Sequence, residues 1–254
     1  MTGDFSYTLG PALGHRAALG LIVLQSDETL EHDFRHLIPD AGVALYVSRI
    51  PSAPEVSRDS LARMESQMTA SAALLPGPVR FDAVGYGCTS GTSVIGAGRV
   101  ADLIKAGCRT TAVTEPVSAL VAACRALGLR RLALLSPYVA AVSEGLRGAL
   151  AQNGIATPVF GSFNEPEETR VAHIDVKSIR AAALSLAAAG GVDGIFLSCT
   201  NLRTREAIPL IEAQSGLPVL SSNQVLAWHM LRLSGVSDSP RNAGCLWAKK
   251  KAEQ

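Results

Sequence analysis

Short apolar segments rich in β-branched residues alternate with longer amphipathic segments along almost the whole chain. Strands buried on both faces of a parallel sheet are continuously apolar, and the connection between two parallel strands is usually a helix. The alternation therefore predicts an α/β fold with doubly wound parallel sheets. The predicted strands are residues 19–24, 43–50, 83–87, 110–113, 131–136, 157–160, 194–198 and 219–221. The predicted helices include residues 58–75, 116–127, 140–152, 176–189 and 204–214.

The sequence also contains two pairs of similar segments. Residues 81–90 align without a gap with residues 192–201: in both, an aspartate opens a strand that ends six residues later in Cys-Thr, and a helix is expected to follow. Residues 113–116 and 220–223 are the second pair, and each is a polar turn that ends a strand and opens a helix. The two matches predict two similar α/β lobes related by pseudo-twofold symmetry.

The lobes can be given boundaries from these matches. We place the first predicted lobe at residues 1–118 and about 222–254, and the second at residues 119–221. In this arrangement the C-terminal part of the chain returns to the first lobe.

The composition is that of a compact globular protein. Of the 254 residues, 48% are hydrophobic and only 18% are charged, which excludes an intrinsically disordered chain. The 23 basic and 22 acidic residues leave a net charge of +1 without a basic stripe, so we expect no nucleic-acid partner. The longest apolar stretches are too short to cross a bilayer, so we expect no membrane partner. So low a charge content favours a homo-oligomer.

The five cysteines are an odd number in a chain whose first residues do not form a secretory leader. This predicts reduced thiols and a cytoplasmic location rather than a disulfide framework. No two cysteines are two to four residues apart and the five histidines are scattered, so we predict no metal site. Three of the cysteines have no matching context and are interpreted as small packing residues: Cys108, Cys124 and Cys245.

Cys88 and Cys199 differ from the other three, because each stands where a predicted strand ends and a helix is expected to begin. In open α/β sheets, ligands bind at the carboxyl ends of the strands. The N–H groups of the following turn and the helix dipole lower the pKa of a thiol and attract carboxylates. Gly91 lets the backbone approach a ligand closely. We therefore expect each lobe to present one reactive thiol beside a carboxylate-binding turn.

Three motifs carry a resemblance to a known family. They are Gly-Cys-Thr-Ser-Gly-Thr-Ser at residues 87–93, Ser-Pro-Tyr-Val at 136–139 and Ser-Cys-Thr-Asn at 198–201. With them the chain resembles, over nearly its whole length, the maleate cis-trans isomerase and arylmalonate decarboxylase branch of the aspartate/glutamate racemase superfamily. Residues 22–29 are similar to the opening of the ectoine-utilisation EutA subgroup. The resemblance implies two Rossmann-like lobes, an active site in the cleft between them, small carboxylate substrates, and no metal or organic cofactor.

The thiols distinguish the activities within this branch. Arylmalonate decarboxylases resemble the chain at Cys199 alone and have a glycine in place of Cys88, whereas the isomerases and racemases use two thiols. The resemblance thus implies an enzyme, a two-cysteine isomerase or racemase without a cofactor. Two facing thiols can move a proton from one face of a planar intermediate to the other. In the maleate isomerase version, the Cys88 thiolate adds to the alkene and forms a covalent succinyl intermediate. The alternatives are a decarboxylase or carbon–carbon lyase that retains both thiols, and a non-catalytic protein that binds small carboxylates.

The resemblance also implies which residues bind the substrate. Tyr138 matches a family tyrosine whose phenol donates to a carboxylate or to the enediolate formed from it. The alternative is a tyrosine whose ring packs at a strand end while its hydroxyl lies in water. Further hydroxyl and amide donors are expected from Thr89, Ser90, Thr200 and Asn201, and less directly from Thr114.

Asp27 departs from the family pattern, because maleate isomerases have an asparagine there that holds a substrate carboxylate. A carboxylate facing a carboxylate is repulsive unless one is protonated or a cation lies between them. Asp27 therefore fits a substrate with an ammonium group, such as an amino acid or a diamino acid derivative. The alternative is that Asp27 caps the helix that starts near Thr29. A second carboxylate-binding asparagine of the family has no clear counterpart, because Asn164 and Glu168 both fit.

Overall fold

The computed structural model describes residues 3–38 and 42–248 and contains two four-stranded sheets in which every strand pairing is parallel. The first sheet consists of β1 (Ala17–Leu24), β2 (Val43–Ile50), β3 (Phe81–Gly87) and β4 (Thr110–Thr114). The second consists of β5 (Arg131–Ser136), β6 (Ala156–Ser162), β7 (Gly194–Leu197) and β8 (Val219–Ser221). All eight strands overlap the predicted ones, and the α/β class with two parallel sheets is confirmed.

The helices connect and cover these strands. They are α1 (Leu30–Leu37), α2 (Arg58–Arg63), α3 (Met68–Ala72), α4 (Thr89–Ile95), α5 (Ala97–Gly107), α6 (Pro116–Leu127), α7 (Ala140–Gln152), α8 (Glu168–Val171), α9 (Val176–Ala188), α10 (Ala207–Ser215) and α11 (Ser222–Leu233). Short 3₁₀ helices lie at Met64–Gln67 and Cys245–Ala248. None of the helices in the described part of the chain is long and apolar enough to cross a membrane.

The two sheets have the same strand order. The first runs β2-β1-β3-β4 and the second β6-β5-β7-β8, so corresponding strands occupy corresponding places. The matched segments 81–90 and 192–201 contain β3 and β7, which are the third strand of each sheet. The lobe boundaries at residues 118 and 222 stay a prediction, and residues 1–2, 39–41 and 249–254 of the predicted first lobe lie outside the described residues.

The predicted helix at residues 58–75 is wrong as a single element. It is divided into α2, the 3₁₀ segment Met64–Gln67 and α3. The Ser66 hydroxyl donates to the Arg63 carbonyl at 3.0 Å, and such back-bonding competes with regular helical hydrogen bonds. The first part begins as a capping box, in which the Ser57 and Ser60 side chains each accept from the other's backbone N–H.

Both faces of the sheets are buried. Along β1, Leu19, Leu21 and Val23 belong to one apolar cluster, whereas Ile22 and Leu24 belong to the other. Successive residues of a strand point to opposite faces, so each sheet is covered by helices on both sides. This explains why the strands are continuously apolar in sequence.

The helices after the last strand of each sheet join the two halves of the molecule. α6 follows β4, α11 follows β8, and the two helices pack against each other. α11 also contacts β3 and α1, so the chain after the second sheet returns to the first. Trp228 of α11 is completely buried in the apolar cluster that contains residues of both sheets. The carboxyl ends of β3 and β7 consequently lie on either side of one narrow pocket.

Candidate active site

Cys88 comes directly after β3 and is the N-cap residue of α4. Its backbone is extended, with a φ of −150°, and its Sγ accepts the Gly91 N–H at 3.1 Å. A Cβ at Gly91 would lie 2.9 Å from this sulfur and 2.6 Å from the Tyr86 hydroxyl. The thiol thus takes the place of a capping hydroxyl, and only glycine fits beside it.

Cys199 lies in a different local structure. It follows β7 with a φ of 104°, in the left-handed half of the φ range that non-glycine residues rarely adopt. Its Sγ accepts the Asn201 N–H at 3.3 Å, and a turn precedes α10, which begins only at Ala207. The prediction of a helix directly after Cys199 is therefore wrong. Strained backbone of this kind is found where the surrounding structure holds a residue for function.

Both thiols line one pocket between the two sheets. The pocket is closed, with room for about a single water molecule. Its described lining residues include no Lys, Arg or His: they are Leu24, Asp27, Val56, Leu61, Cys88, Thr89, Ser90, Tyr138, Glu168, Cys199 and Thr200. Within the described residues, no group of three or more His, Cys, Asp or Glu side chains could hold a metal ion.

The structure brings most of the predicted site residues to this pocket. The hydroxyl protons of two of them are donated to other protein groups. Thr89 Oγ1 donates to Ser222 Oγ at 2.8 Å, and Thr200 Oγ1 donates to the Gly87 carbonyl at 3.1 Å. Ser90 also lines the pocket.

Two predicted donors are outside the pocket. The Asn201 side chain accepts the Glu28 N–H at 2.8 Å and donates to the Glu168 carbonyl oxygen at 3.0 Å, so it joins three loops instead of facing the pocket. Thr114 Oγ1 is hydrogen-bonded to His229 Nδ1 at 2.8 Å and does not line the pocket.

Burial, not the turn amides, dominates the pKa of both thiols. Burial raises the pKa of Cys88 to about 12, and the Gly91 N–H lowers it only in part. Burial and the Glu168 carboxylate raise the pKa of Cys199 well above its ordinary value. The expectation of low thiol pKa values is wrong for this closed pocket, because the loss of hydration outweighs a single N–H donor.

Asp27 has the capping role that the sequence offers as one of its two alternatives. Its Oδ1 accepts the Thr29 N–H at 2.8 Å and the Leu30 N–H at 2.7 Å, and so it caps the first turn of α1. Its Oδ2 is buried without a hydrogen-bond partner, although the residue lines the pocket. Burial raises the pKa of this carboxyl. One oxygen is thus used by the fold, and the other has no hydrogen-bond partner within the geometric limits.

Tyr138 lies between Cys199 and a carboxylate. Its hydroxyl donates to Glu168 Oε1 and is 2.9 Å from Cys199 Sγ. Of the two positions left open by the sequence, Glu168 is in the pocket, whereas Asn164 is exposed with a φ of 54°. No local pattern distinguishes Glu168 in the sequence, because it begins the one-turn helix α8 between β6 and α9.

Ser222 was not among the predicted site residues. Its Oγ accepts the Thr89 hydroxyl at 2.8 Å and the Cys199 N–H at 3.0 Å, so it ties together the loops that carry the two thiols. The signal that points to it is the matched polar turn at residues 220–223. This turn ends β8 at the same edge of the sheet as β7.

A short antiparallel contact closes the pocket. Glu55 and Glu167 form an isolated bridge between a loop of the first sheet and a loop of the second. The Val56 N–H donates to the Pro166 carbonyl at 3.1 Å, and the Glu168 N–H donates to the Pro54 carbonyl at 3.0 Å. Val56 and Glu168 also line the pocket, so the bridge forms part of its wall.

Comparison with known proteins identifies the family. The model of the arylmalonate decarboxylase family matches residues 99–247, more than half of the chain. The chain belongs to this family. Arylmalonate decarboxylase of Bordetella bronchiseptica is 34% identical over 123 residues, which are 48% of this chain and 51% of that protein. That match spans about half the length of the relative.

Other relatives of the family match over nearly the whole length. Maleate isomerase of Nocardia farcinica is 26% identical over 245 residues, which are 92% of this chain and 96% of that protein. A structure is also known of a cysteine-to-serine variant of the Nocardia farcinica enzyme with a covalently bound succinylcysteine intermediate. It matches this chain with a TM-score of 0.82 at 25% sequence identity, and the match covers 91% of this chain and 98% of the chain in that structure.

The fold is shared more widely in this branch. The structure of the maleate isomerase Iso from Pseudomonas putida S16 has a TM-score of 0.81 at 23% identity over 93% of this chain and 99% of its own. The predicted branch of the superfamily and the prediction of a cysteine-dependent isomerase are confirmed by these relatives. The similarity to the ectoine-utilisation subgroup stays a prediction.

Proposed function

We propose that the protein is a two-thiol racemase or isomerase whose substrate is a small carboxylate that also carries an ammonium group, such as an α-amino acid or a diamino acid derivative. In this proposal Cys88 and Cys199 exchange protons with the substrate, and Asp27 binds its ammonium group. Thr89, Ser90, Tyr138 and Thr200 surround the carboxylate end.

The acidic lining of the pocket is the observation that supports this proposal. Asp27 and Glu168 both line it, and no described lining residue is basic. Burial raises the pKa of the Glu168 carboxyl, and the negative charge of Asp27 acts in the same direction, since like charges disfavour each other's ionised form. A dicarboxylate would add two more negative charges to this space. A substrate ammonium group instead neutralises one carboxylate and supplies the missing partner of Asp27 Oδ2.

The two thiols fit proton transfer across such a substrate. One thiolate removes the proton next to the substrate carboxylate, and the thiol on the other side returns a proton to the opposite face. An S–H bond forms on the first sulfur while an S–H bond breaks on the second, so the proton count is unchanged. A closed pocket suits this step, because it keeps water from the carbanionic intermediate.

The proposal is tested by incubation of the protein in deuterated water with single enantiomers of glutamate, aspartate and 2,4-diaminobutyrate, and separately with maleate. We expect deuterium at the α-carbon and formation of the opposite enantiomer for at least one amino acid, measured by proton NMR and chiral chromatography. Fumarate formed from maleate, with no exchange on any amino acid, would contradict the assignment of an ammonium-bearing substrate.

Replacement of Asp27 by asparagine should change the substrate preference. The amide oxygen can still cap α1, so the fold is expected to persist. Loss of a charge-assisted hydrogen bond should lower kcat/KM for the amino acid by about thirtyfold, or about 2 kcal/mol, mainly through KM. Weaker repulsion should at the same time make the turnover of maleate faster than in the wild type. Steady-state kinetics on both substrates measures the two effects.

Asp175→Asn is the matched control for this variant. Asp175 accepts the Ser178 N–H at 2.7 Å as the N-cap of α9, is exposed, and does not line the pocket with the thiols. We expect it to leave kcat/KM unchanged. If Asp27→Asn and Asp175→Asn had the same kinetics, Asp27 would be only a helix cap.

Decarboxylation of an arylmalonate is the second candidate, favoured by the 34% identity to arylmalonate decarboxylase in about half of the chain. The two carboxylates of the pocket act against it, because a malonate brings two negative charges. Incubation with phenylmalonate distinguishes the two candidates. Rapid release of carbon dioxide would favour the decarboxylase over the racemase.

A further inference from the structure

The hydrogen bonds of Tyr138 give the Cys199 thiol an environment that the Cys88 thiol does not share. A phenol has one proton, and the Tyr138 hydroxyl has two neighbours that could accept it, Glu168 Oε1 and Cys199 Sγ. The proton is donated to the carboxylate. The phenolic oxygen is then left as the acceptor for the Cys199 thiol proton, at an O to S distance of 2.9 Å. This arrangement suits a thiol at Cys199 and does not suit a thiolate.

The charges around Cys199 act in the same direction. Glu168 and Asp27 are the charged groups that face it, and both raise its pKa. The second oxygen of Glu168 accepts the Asn201 amide at 3.1 Å, which holds the carboxylate in place. Cys88 differs, because after burial the largest influence on its pKa is the Gly91 N–H, which lowers it.

We propose that Glu168 is a positioning residue that keeps Cys199 in its protonated form, by drawing the single proton of Tyr138 away from the sulfur. This deepens the proposed function and rests on it for its catalytic meaning: Cys199 starts the reaction as the proton donor. Glu168 acts through Tyr138, and the loop of Asn201 fixes the position of its carboxylate.

The substitution Glu168→Gln tests this role without a substrate. The amide is neutral and has nearly the same shape, so Tyr138 becomes free to donate to a Cys199 thiolate. Alkylation by iodoacetamide from pH 6 to 10, with each cysteine quantified by peptide mass spectrometry, reports the thiolate fraction. The pKa of Cys199 is raised well above its ordinary value, so this range lies below its wild-type midpoint, where the alkylation rate rises about tenfold for each unit that the midpoint falls. We expect the rate of Cys199 to rise about ten- to a hundredfold, which corresponds to a midpoint lower by about one to two pH units.

Two controls separate this effect from simple opening of the pocket. Cys88 in the same sample should change by less than about threefold, because Glu168 influences its pKa less than burial and the Gly91 N–H do. Glu168→Asp keeps the negative charge and should keep the midpoint of Cys199 near the wild-type value. Thermal unfolding of each variant measures whether the fold is retained.

The outcomes are distinct. An unchanged or higher midpoint of Cys199 in Glu168→Gln would overturn the role of Glu168, as would equal acceleration of both thiols or an equally large shift in Glu168→Asp. The alkylation experiment contains no substrate. Failure of every amino acid in the turnover assay would therefore reject the proposed function and leave the result on Glu168 intact.

Discussion

Alanine at either Cys88 or Cys199 is expected to lower racemisation by at least about 10³-fold, which is the size of effect that loss of a general acid or base has. Both sulfurs line the same pocket and lie at the ends of strands from different sheets. In the proposed mechanism, each thiol serves one face of the intermediate. Since every turnover needs a proton removed on one side and returned on the other, neither thiol can replace the other.

The measurement is α-proton exchange and chiral inversion in deuterated water. Each single variant should lose inversion, whereas exchange without inversion can survive in one of them, because the remaining thiol still reaches one face. Cys108→Ala is the matched control, since Cys108 is half-buried and does not line the pocket. Full inversion by both variants would exclude the two-thiol mechanism.

A disulfide across the closing bridge is expected to abolish turnover. Glu55 and Glu167 are both exposed and face each other in an antiparallel bridge, with the flanking hydrogen bonds on either side. Such a non-hydrogen-bonded pair has a Cα separation of about 4.5 Å, within the range that a disulfide spans. The combination of Glu55→Cys and Glu167→Cys should thus lock the pocket closed when it is oxidised. Because the closed pocket admits about one water molecule, the locked form cannot take up substrate.

Reduction with dithiothreitol should restore activity to the double variant. The single variants, treated with the same oxidant, are the control for damage to Cys88 and Cys199. Peptide mapping identifies the new disulfide and measures how much of the protein carries it. Normal turnover by fully cross-linked protein would mean that the substrate enters by a route that does not separate the bridge.

The fold was largely predictable because its signals are local. A continuously apolar strand such as β3 or β5 is recognisable from its own residues, since both of its faces are covered in this architecture. The repeat of Asp82 to Cys88 at Asp193 to Cys199 placed both thiols at strand ends. The helix break at Met64–Gln67 was not predictable in the same way, because helical periodicity continues across it.

The site was only partly predictable. Cys88, Cys199, Asp27 and Tyr138 carry motifs or matched positions, and all four line the pocket. Glu168 has no motif, and its importance arises from a hydroxyl that reaches it from a residue thirty positions earlier in the chain.

The α/β class, the family and the pairing of the two cysteine turns can be recognised from the residues alone, because periodicity and motifs are properties of neighbouring residues. How those thiols behave depends on contacts between distant parts of the chain. Burial raises their pKa values, Ser222 joins their loops, and Glu168 takes the proton of Tyr138. Desolvation and the choice of a hydrogen-bond partner depend on groups brought together from both sheets, so no local pattern encodes them.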